Sequence, residues 1–217
     1  MSSQPSTHSV SPAGESFPLP KPRQYATEMK RLEKRVQAAR AKGQEIVVVM
    51  GVGFVGAVMA AIIADTVHKR GKRKGEPSKF VIGCQRPSVR SYWKIPLLNR
   101  GESPVKAEDP EVDPMIARTV KEKKTFTATF NSDCLKLADC VVVDVQCDYT
   151  KAELGNMRSG EAEMSALEAT MRTIGEKIPP KCLVLIETTV APGTTEFVAW
   201  PILKKAFAVR GLKSTPL

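Results

Sequence analysis

Residues 45–56 read EIVVVMGVGFVG, a β-branched apolar run followed at once by glycines at 51, 53 and 56. A short run with no polar alternation suits a strand buried on both faces. The segment that follows, AVMAAIIADTVHKR (57–70), is rich in small apolar residues and suits a helix packed closely on a sheet. Between strand and helix each glycine has a physical task. Gly51 permits the tight turn out of the strand. Gly53 lets a pyrophosphate approach the backbone with no Cβ in the way, and Gly56 lets the helix lie close on the sheet. The helix N-terminus then directs free N–H groups and a partial positive charge at phosphates, which makes Phe54 and Val55 cofactor-binding candidates with the three glycines. The alternative is a small-residue turn that merely packs. No Gly-Lys-Ser/Thr follows, so a Walker-type phosphate loop is excluded.

Working outward, YATEMKRLEKRVQAARAKGQ (25–44) has strong helix formers and Gly43 as a helix stop. KFVIGC (79–84), TFTATF (125–130), CVVVDV (140–145) and KCLVLIETT (181–189) read as further strands. SDCLKLAD (132–139), with Ser132 or Asp133 as N-cap, and SGEAEMSALEATMRTIGEKI (159–178) read as helices. TTEFVAWPILKKAFAV (194–209) is a closing helix interrupted or kinked at Pro201. Strands alternating with helices predict an α/β fold: a doubly wound, mainly parallel, Rossmann-like sheet with helices on both faces. Residues 45–217 form this domain, preceded by a helix at 25–44 and by a Ser/Pro-rich stretch, 1–24, expected to be a mobile tail.

Composition removes several classes. There is neither the apolar core of a signal peptide nor a membrane-length apolar stretch, so a soluble, cytoplasmic protein is expected. The five cysteines lack CxxC spacing, which disfavours a zinc site or a disulfide framework, and no metal is called. The net charge of +10 is partly local, because HKRGKRKG (68–75) carries five Lys and Arg. That run is either an anionic-surface or nucleic-acid patch, or a solvated helix-to-strand connection whose cations suit the helix dipole. No aromatic is interleaved for base stacking, which favours the connection.

A dinucleotide fold normally ends its second strand with an acid that binds the adenosine ribose. Here the end reads IGCQRPS, so the slot falls on Cys84 or Gln85 and carries no carboxylate. Arg86 beside a missing acid would suit a 2′-phosphate and makes NADP the alternative cofactor. Gln85 bonding the ribose neutrally, with Arg86 on the adenine or in water, keeps NAD ahead.

Three more stretches carry a resemblance: LLNRGESPVKAEDPEV (97–112), LKLADCVVVDVQCD (135–148) and LVLIETTVAPGTTE (183–196). With GVGFVG, in this order, the chain resembles the N-terminal domain of the UDP-glucose/GDP-mannose 6-dehydrogenase family, including its N-acetyl-hexosamine branch. The resemblance implies oxidation of the C6 hydroxyl of a UDP- or GDP-linked sugar to a carboxylate by two hydride transfers to NAD. It further implies polysaccharide biosynthesis and a homodimeric full-length enzyme. Val145, Gln146 and Cys147 stand where the family has Val-x-Thr-Pro, so they are placed near the nicotinamide. Cys147 replaces the Thr and no proline follows, which leaves it either a reactive thiol or a small apolar replacement. Glu187, Thr188 and Thr189 match the family's Glu-Ser-Thr segment. Glu187 is the catalytic candidate, orienting water or acting as a base; otherwise it caps the turn before Pro192.

The family's nucleophilic Cys, with its Lys and Asn, belongs to segments beyond Leu217. The expectation is therefore a cofactor domain truncated before the central helix and C-terminal domain, and inactive alone. A non-catalytic dinucleotide-binding module is the second reading. A basic nucleic-acid-binding α/β protein is the third, and it rests on charge alone.

Overall fold

The computed structural model describes residues 7–151, 153 and 160–213. In chain order its elements are β1 (His8–Val10), β2 (Ser16–Pro18), α1 (Pro22–Ala41), β3 (Glu45–Met50), α2 (Phe54–Asp65) and β4 (Lys79–Cys84). Then come α3 (Lys94–Asn99), α4 (Val112–Lys121), β5 (Phe126–Thr129), a 3-10 turn (Ser132–Leu137) and β6 (Cys140–Val143). The chain continues with β7 (Asp148–Lys151), β8 (Gly160–Glu163), α5 (Ser165–Lys177), β9 (Leu183–Ile186), a π-helical turn (Thr195–Ala199) and α6 (Trp200–Val209).

Five strands form one parallel sheet in the order β5-β4-β3-β6-β9. The chain builds outward from β3 through β4 to β5, then returns to lay β6 on the other side of β3. This reversal makes β3 the middle strand and opens a crevice above the C-terminal ends of β3 and β6, where open α/β sheets bind ligands. Alternation along β3 feeds two cores. Ile46 and Val48 pack with Leu32, Leu135, Val141, Leu167 and Met171. Val47 and Val49 pack with Val81, Ala57, Ala60, Ile116 and Phe126. Helix α2 buries Ala57, Ala60, Ala61 and Ala64, so small side chains let it sit low on the strands beside the glycine turn. Cover is thinner at the outer strand: Leu183 and Leu185 of β9 remain 40% and 47% exposed.

Several expectations change. Residues 8–18 are no mobile tail: β1 and β2 pair as an antiparallel hairpin. Ser9 is fully buried. Its Oγ donates to the Val89 carbonyl at 2.7 Å and accepts from the Trp93 N–H at 3.1 Å, so two long-range hydrogen bonds tie the hairpin to the body. Arg100 adds an ion pair to Glu15 and lies over the Phe17 ring. Residues 1–6 of the expected tail lie outside the described residues.

The helix expected over 57–70 starts earlier, at Phe54, and stops at Asp65, because Thr66 turns extended and caps the Ile63 carbonyl. The basic run 68–75 lies in the α2–β4 connection, closed by His68 N–H to the Glu76 carbonyl and Gly75 N–H to the His68 carbonyl. The expected helix at 132–139 is a 3-10 turn capped not by Ser132 or Asp133 but by Asn131, whose Oδ1 accepts from the Asp133 N–H at 3.0 Å. The helix expected from 159 begins at Ser165, because Gly160–Glu163 pairs with Asp148–Lys151 as a two-stranded ribbon; Ser159 lies outside the described residues. At Pro201 the expectation of an interruption holds: the helical run passes from the π-helical turn Thr195–Ala199 into α6 immediately before the proline.

Ser9→Ala removes both hairpin anchors and leaves the Trp93 N–H buried without its acceptor. It is expected to lower unfolding free energy by about 1–3 kcal/mol in urea titrations. It should also expose residues 7–20 to limited proteolysis. A variant as stable and as protected as the parent contradicts this anchoring.

Candidate cofactor site

The crevice floor is the glycine turn. Gly51 has φ +97°, a conformation L side chains rarely adopt, and a Cβ there would collide with the Asp144 carbonyl oxygen. Gly56 is equally constrained: its Cβ would strike the Gly51 carbonyl and lie 2.6 Å from Asp144 Oδ2. Two of the three glycines therefore exist so that β3 can turn directly over the end of β6. Gly53 differs. It is extended, it precedes the first residue of α2, and nothing lies within 4 Å of where its Cβ would be. The space beside it is open, as a phosphate cradle requires. Helix α2 has no side-chain cap, so the N–H groups of Phe54, Val55 and Gly56 have no intrahelical acceptor. Phe54 and Val55 stand 66% and 51% exposed at the lip.

At the end of β4 the two candidates for the ribose slot differ in access: Cys84 is buried inside the strand, and Gln85 stands partly exposed at its end. Gln85 Oε1 accepts the Val52 N–H at 3.1 Å. Its carbonyl thereby closes the glycine turn, leaving the side-chain NH₂ as the group free to donate outward. Arg86 is exposed next to it.

The ends of β6 and β9 are clasped together. Glu187 and Thr188 N–H groups donate to the Val143 carbonyl, and Thr188 Oγ1 donates to the Val145 carbonyl at 2.7 Å. Glu187, Thr188 and Val145 thus share one neighbourhood, while Thr189 is exposed. Gln146 turns aside, with Nε2 donating to both carboxylate oxygens of Asp148. The Cys147 thiol faces the Glu163 carbonyl and Met164 Sδ, at 3.7 and 3.5 Å, so it packs against the end of the β7–β8 ribbon.

Sequence reasoning missed Asp144. Its Oδ2 and Glu187 Oε2 are buried oxygens with no hydrogen-bond partner among the described residues. Burial pushes the Asp144 carboxyl above its ordinary range. Burial, then the neighbouring Asp144 charge, does the same for Glu187. Two carboxyls raised in this way at a crevice of this kind can hold a proton or take a donated hydrogen bond. A lone acid closing an apolar strand, VVVDV, is the signal that points to it.

The LLNRG segment, which helped carry the resemblance, has a structural task. Asn99 Oδ1 accepts from Thr127 Oγ1 and the Ala128 N–H, and Nδ2 donates to the Ala128 carbonyl, fastening α3 to β5. Among the described residues no group of three or more His, Cys, Asp or Glu is placed to hold a metal. No helix among them is long and apolar enough to cross a membrane.

A family model described as the NAD binding domain of the UDP-glucose/GDP-mannose dehydrogenase family matches residues 45–214. Among solved structures, an NDP-N-acetyl-D-galactosaminuronic acid dehydrogenase from Methanosarcina mazei Go1 is 33% identical with a TM-score of 0.62, over 81% of this chain and 33% of that one. A GDP-mannose dehydrogenase from Pseudomonas aeruginosa (23% identity, TM-score 0.58, 74% and 32% coverage) shares the fold. So does a UDP-D-ManNAc dehydrogenase from Pyrococcus horikoshii (24%, 0.58, 75% and 32%). The chain spans about a third of the length of these solved relatives. No curated protein matches. The parallel sheet, the glycine turn and a match that runs from β3 past α6 agree: the chain belongs to the UDP-glucose/GDP-mannose dehydrogenase family, whose NAD-binding domain it matches.

Proposed function

We propose that this chain is the coenzyme-binding part of a nucleotide-sugar 6-dehydrogenase working with NAD. The observation that carries the reading is the open space at Gly53 beside the uncapped start of α2. The backbone N–H groups of Phe54, Val55 and Gly56 grip the pyrophosphate, and the Gln85 NH₂ meets the adenosine ribose. Val145, Thr188 and Thr189 border the nicotinamide end, with Gln146 and Cys147 on the adjoining loop. The bound coenzyme supplies hydride acceptance. The protein supplies position and charge: Glu187, half-buried with an unpartnered oxygen, accepts a hydrogen bond from a water or a sugar hydroxyl and holds the proton that oxidation releases. The substrate class is a UDP- or GDP-linked sugar whose C6 hydroxyl is oxidised to a carboxylate.

The second reading, a dinucleotide module without catalysis, draws on Cys147. Its thiol is turned to Glu163 and Met164. NAD binding by calorimetry tests both readings. Turnover of a nucleotide sugar separates them.

Gly53→Val places its Cβ in open space, so thermal stability is expected to stay within a few degrees while NAD affinity falls at least 100-fold. Retained affinity refutes the cradle. Arg86→Ala is expected to weaken NADP several-fold more than NAD in the same titration; equal losses remove the 2′-phosphate role.

Asp144→Asn tests the buried acid. A carboxyl whose folded-state pKa is raised favours the fold when protonated, so that contribution is complete below the ordinary range near 4 and is lost as pH rises through the raised value. Asp144→Asn should therefore be more stable than the parent at pH 8, with the difference much smaller at pH 4, read by urea unfolding. It should also flatten the pH dependence of NAD affinity. A pH-independent difference argues against an ionised, unpartnered Asp144.

A further inference from the structure

A second cavity lies at the other end of the sheet from the glycine turn, where the strands begin. Its volume is about 1100 Å³ and its walls come from the end of α1, the α2–β4 connection and the α4–β5 connection. Six cations line it: Arg35, Arg40, Lys42, Arg73, Lys123 and Lys124, against one acid, Glu76.

Helix dipoles do not account for this excess. Helices α1, α2 and α4 all end here, and three C-termini together present about one and a half negative charges. The lining carries six positive charges and one negative. Some cations are matched nearby: Arg40 by Asp139, Lys123 by Asp65, and Arg73 by Glu76. Arg35, Lys42 and Lys124 have no carboxylate within ion-pair distance among the described residues.

Arg35 is the informative one. It is half-buried, its guanidinium lies 5.2 Å over the Phe80 ring, and it donates to the carbonyls of Lys124 and Phe126. Burial, then the nearby Arg31 charge, lowers its pKa to about 10. Glu28 pulls the other way from a distance, but its carboxylate is taken up by Arg31 and Thr129, so this guanidinium has carbonyls and no ion pair of its own. Lys124, opposite, takes a left-handed backbone (φ +56°) where the chain leaves α4, closed by the Thr125 N–H on the Thr119 carbonyl.

We propose that this cavity binds a compact, multiply charged, phosphate-bearing small molecule at a site separate from the glycine turn. The guanidinium of Arg35 and the ammonium groups of Lys42 and Lys124 supply the point charges and forked donors that phosphate groups take. The ligand is recognised through phosphates and not through a base, because the aromatic ring of the cavity, Phe80, is buried and covered by Arg35. The basic connection 68–75 feeds the same field: Arg73 reaches from it into the wall, with its guanidinium on the Lys42 carbonyl. Charges farther out on that turn attract the anion without contacting it.

The test is calorimetric titration of the full chain with sodium tripolyphosphate in low salt, alone and with saturating NAD. Saturable 1:1 binding is expected, weakening steeply with added salt and unchanged within twofold by NAD. Lys42→Ala combined with Lys124→Gly, a replacement that suits the left-handed backbone, should weaken it at least tenfold. Lys69→Ala combined with Lys72→Ala, on the turn outside the cavity, should weaken it less than threefold. Absence of saturable binding overturns the proposal, as does competition by NAD, which would move the anion to the glycine turn. An equal loss in both double variants also overturns it, since only a diffuse field would then be at work. A single-stranded oligonucleotide that binds more tightly than tripolyphosphate, and loses that affinity in the cavity variant, replaces the small anion with nucleic acid.

Discussion

The chain's exit from β3 over the end of β6 is the contact on which the rest of this structure depends. Gly51 must be left-handed, and it must pass so near the Asp144 carbonyl that no side chain fits. Gly56 repeats the constraint from the helix side, against Gly51 itself and Asp144 Oδ2. Three pieces of backbone are thus stacked without side chains between them. Helix α2 can descend onto the strands only because of that stacking. Its four buried alanines continue the close approach along the helix. An open pocket at Gly53 then follows from geometry, since the turn that brings its neighbours together points this residue away from them.

The same contact explains the tension in the crevice. Asp144 lies beneath the uncapped start of α2, where the helix field favours a negative charge, yet one of its oxygens is buried without a partner. Glu187, one strand over, has the same defect, and the Asp144 charge adds to the burial that disfavours its ionisation. An anionic coenzyme held at that helix end competes with Asp144 for the same positive field. Binding there, as proposed, would favour the protonated acid and couple coenzyme to proton through a side chain that need not touch the coenzyme.

Much of the sheet was legible because its strands announce themselves. EIVVVM, KFVIGC and CVVV are apolar on both faces, and only a doubly covered strand tolerates that. The turn was legible because glycine spacing and helix composition agree. Other features were hidden for physical reasons. Pro96 within α3 and Pro114 near the start of α4 obscured helices whose first turns accommodate proline. The hairpin at 8–18 has three-residue strands, too short for periodicity, and its stability comes from Ser9 reaching Val89 and Trp93 some eighty residues away. The engagement of the Gln85 side-chain carbonyl by the Val52 N–H is hidden as well, since that partner exists only once β3 and β4 are paired. Asp144 was read as strand because its neighbours are.

The two ends of the sheet carry opposite charge logic, and the fold itself imposes it. In a parallel sheet with crossover helices every helix begins above the strand ends and finishes below the strand starts, so the dipoles align. Carboxyls at the upper end and cations at the lower end complement those dipoles before any ligand arrives. The residues depart from simple complementarity in opposite ways. Above, a carboxyl stands beside the position where a phosphate would gain the most, and restrains anion binding. Below, cations exceed what three helix ends can neutralise, and one guanidinium is fixed on carbonyls without an ion pair of its own among the described residues. Surplus charge on flexible surface side chains dissipates into solvent. Surplus charge on a half-buried, hydrogen-bonded guanidinium cannot, and it gives the lower end an attraction for anions that the dipoles alone would oppose.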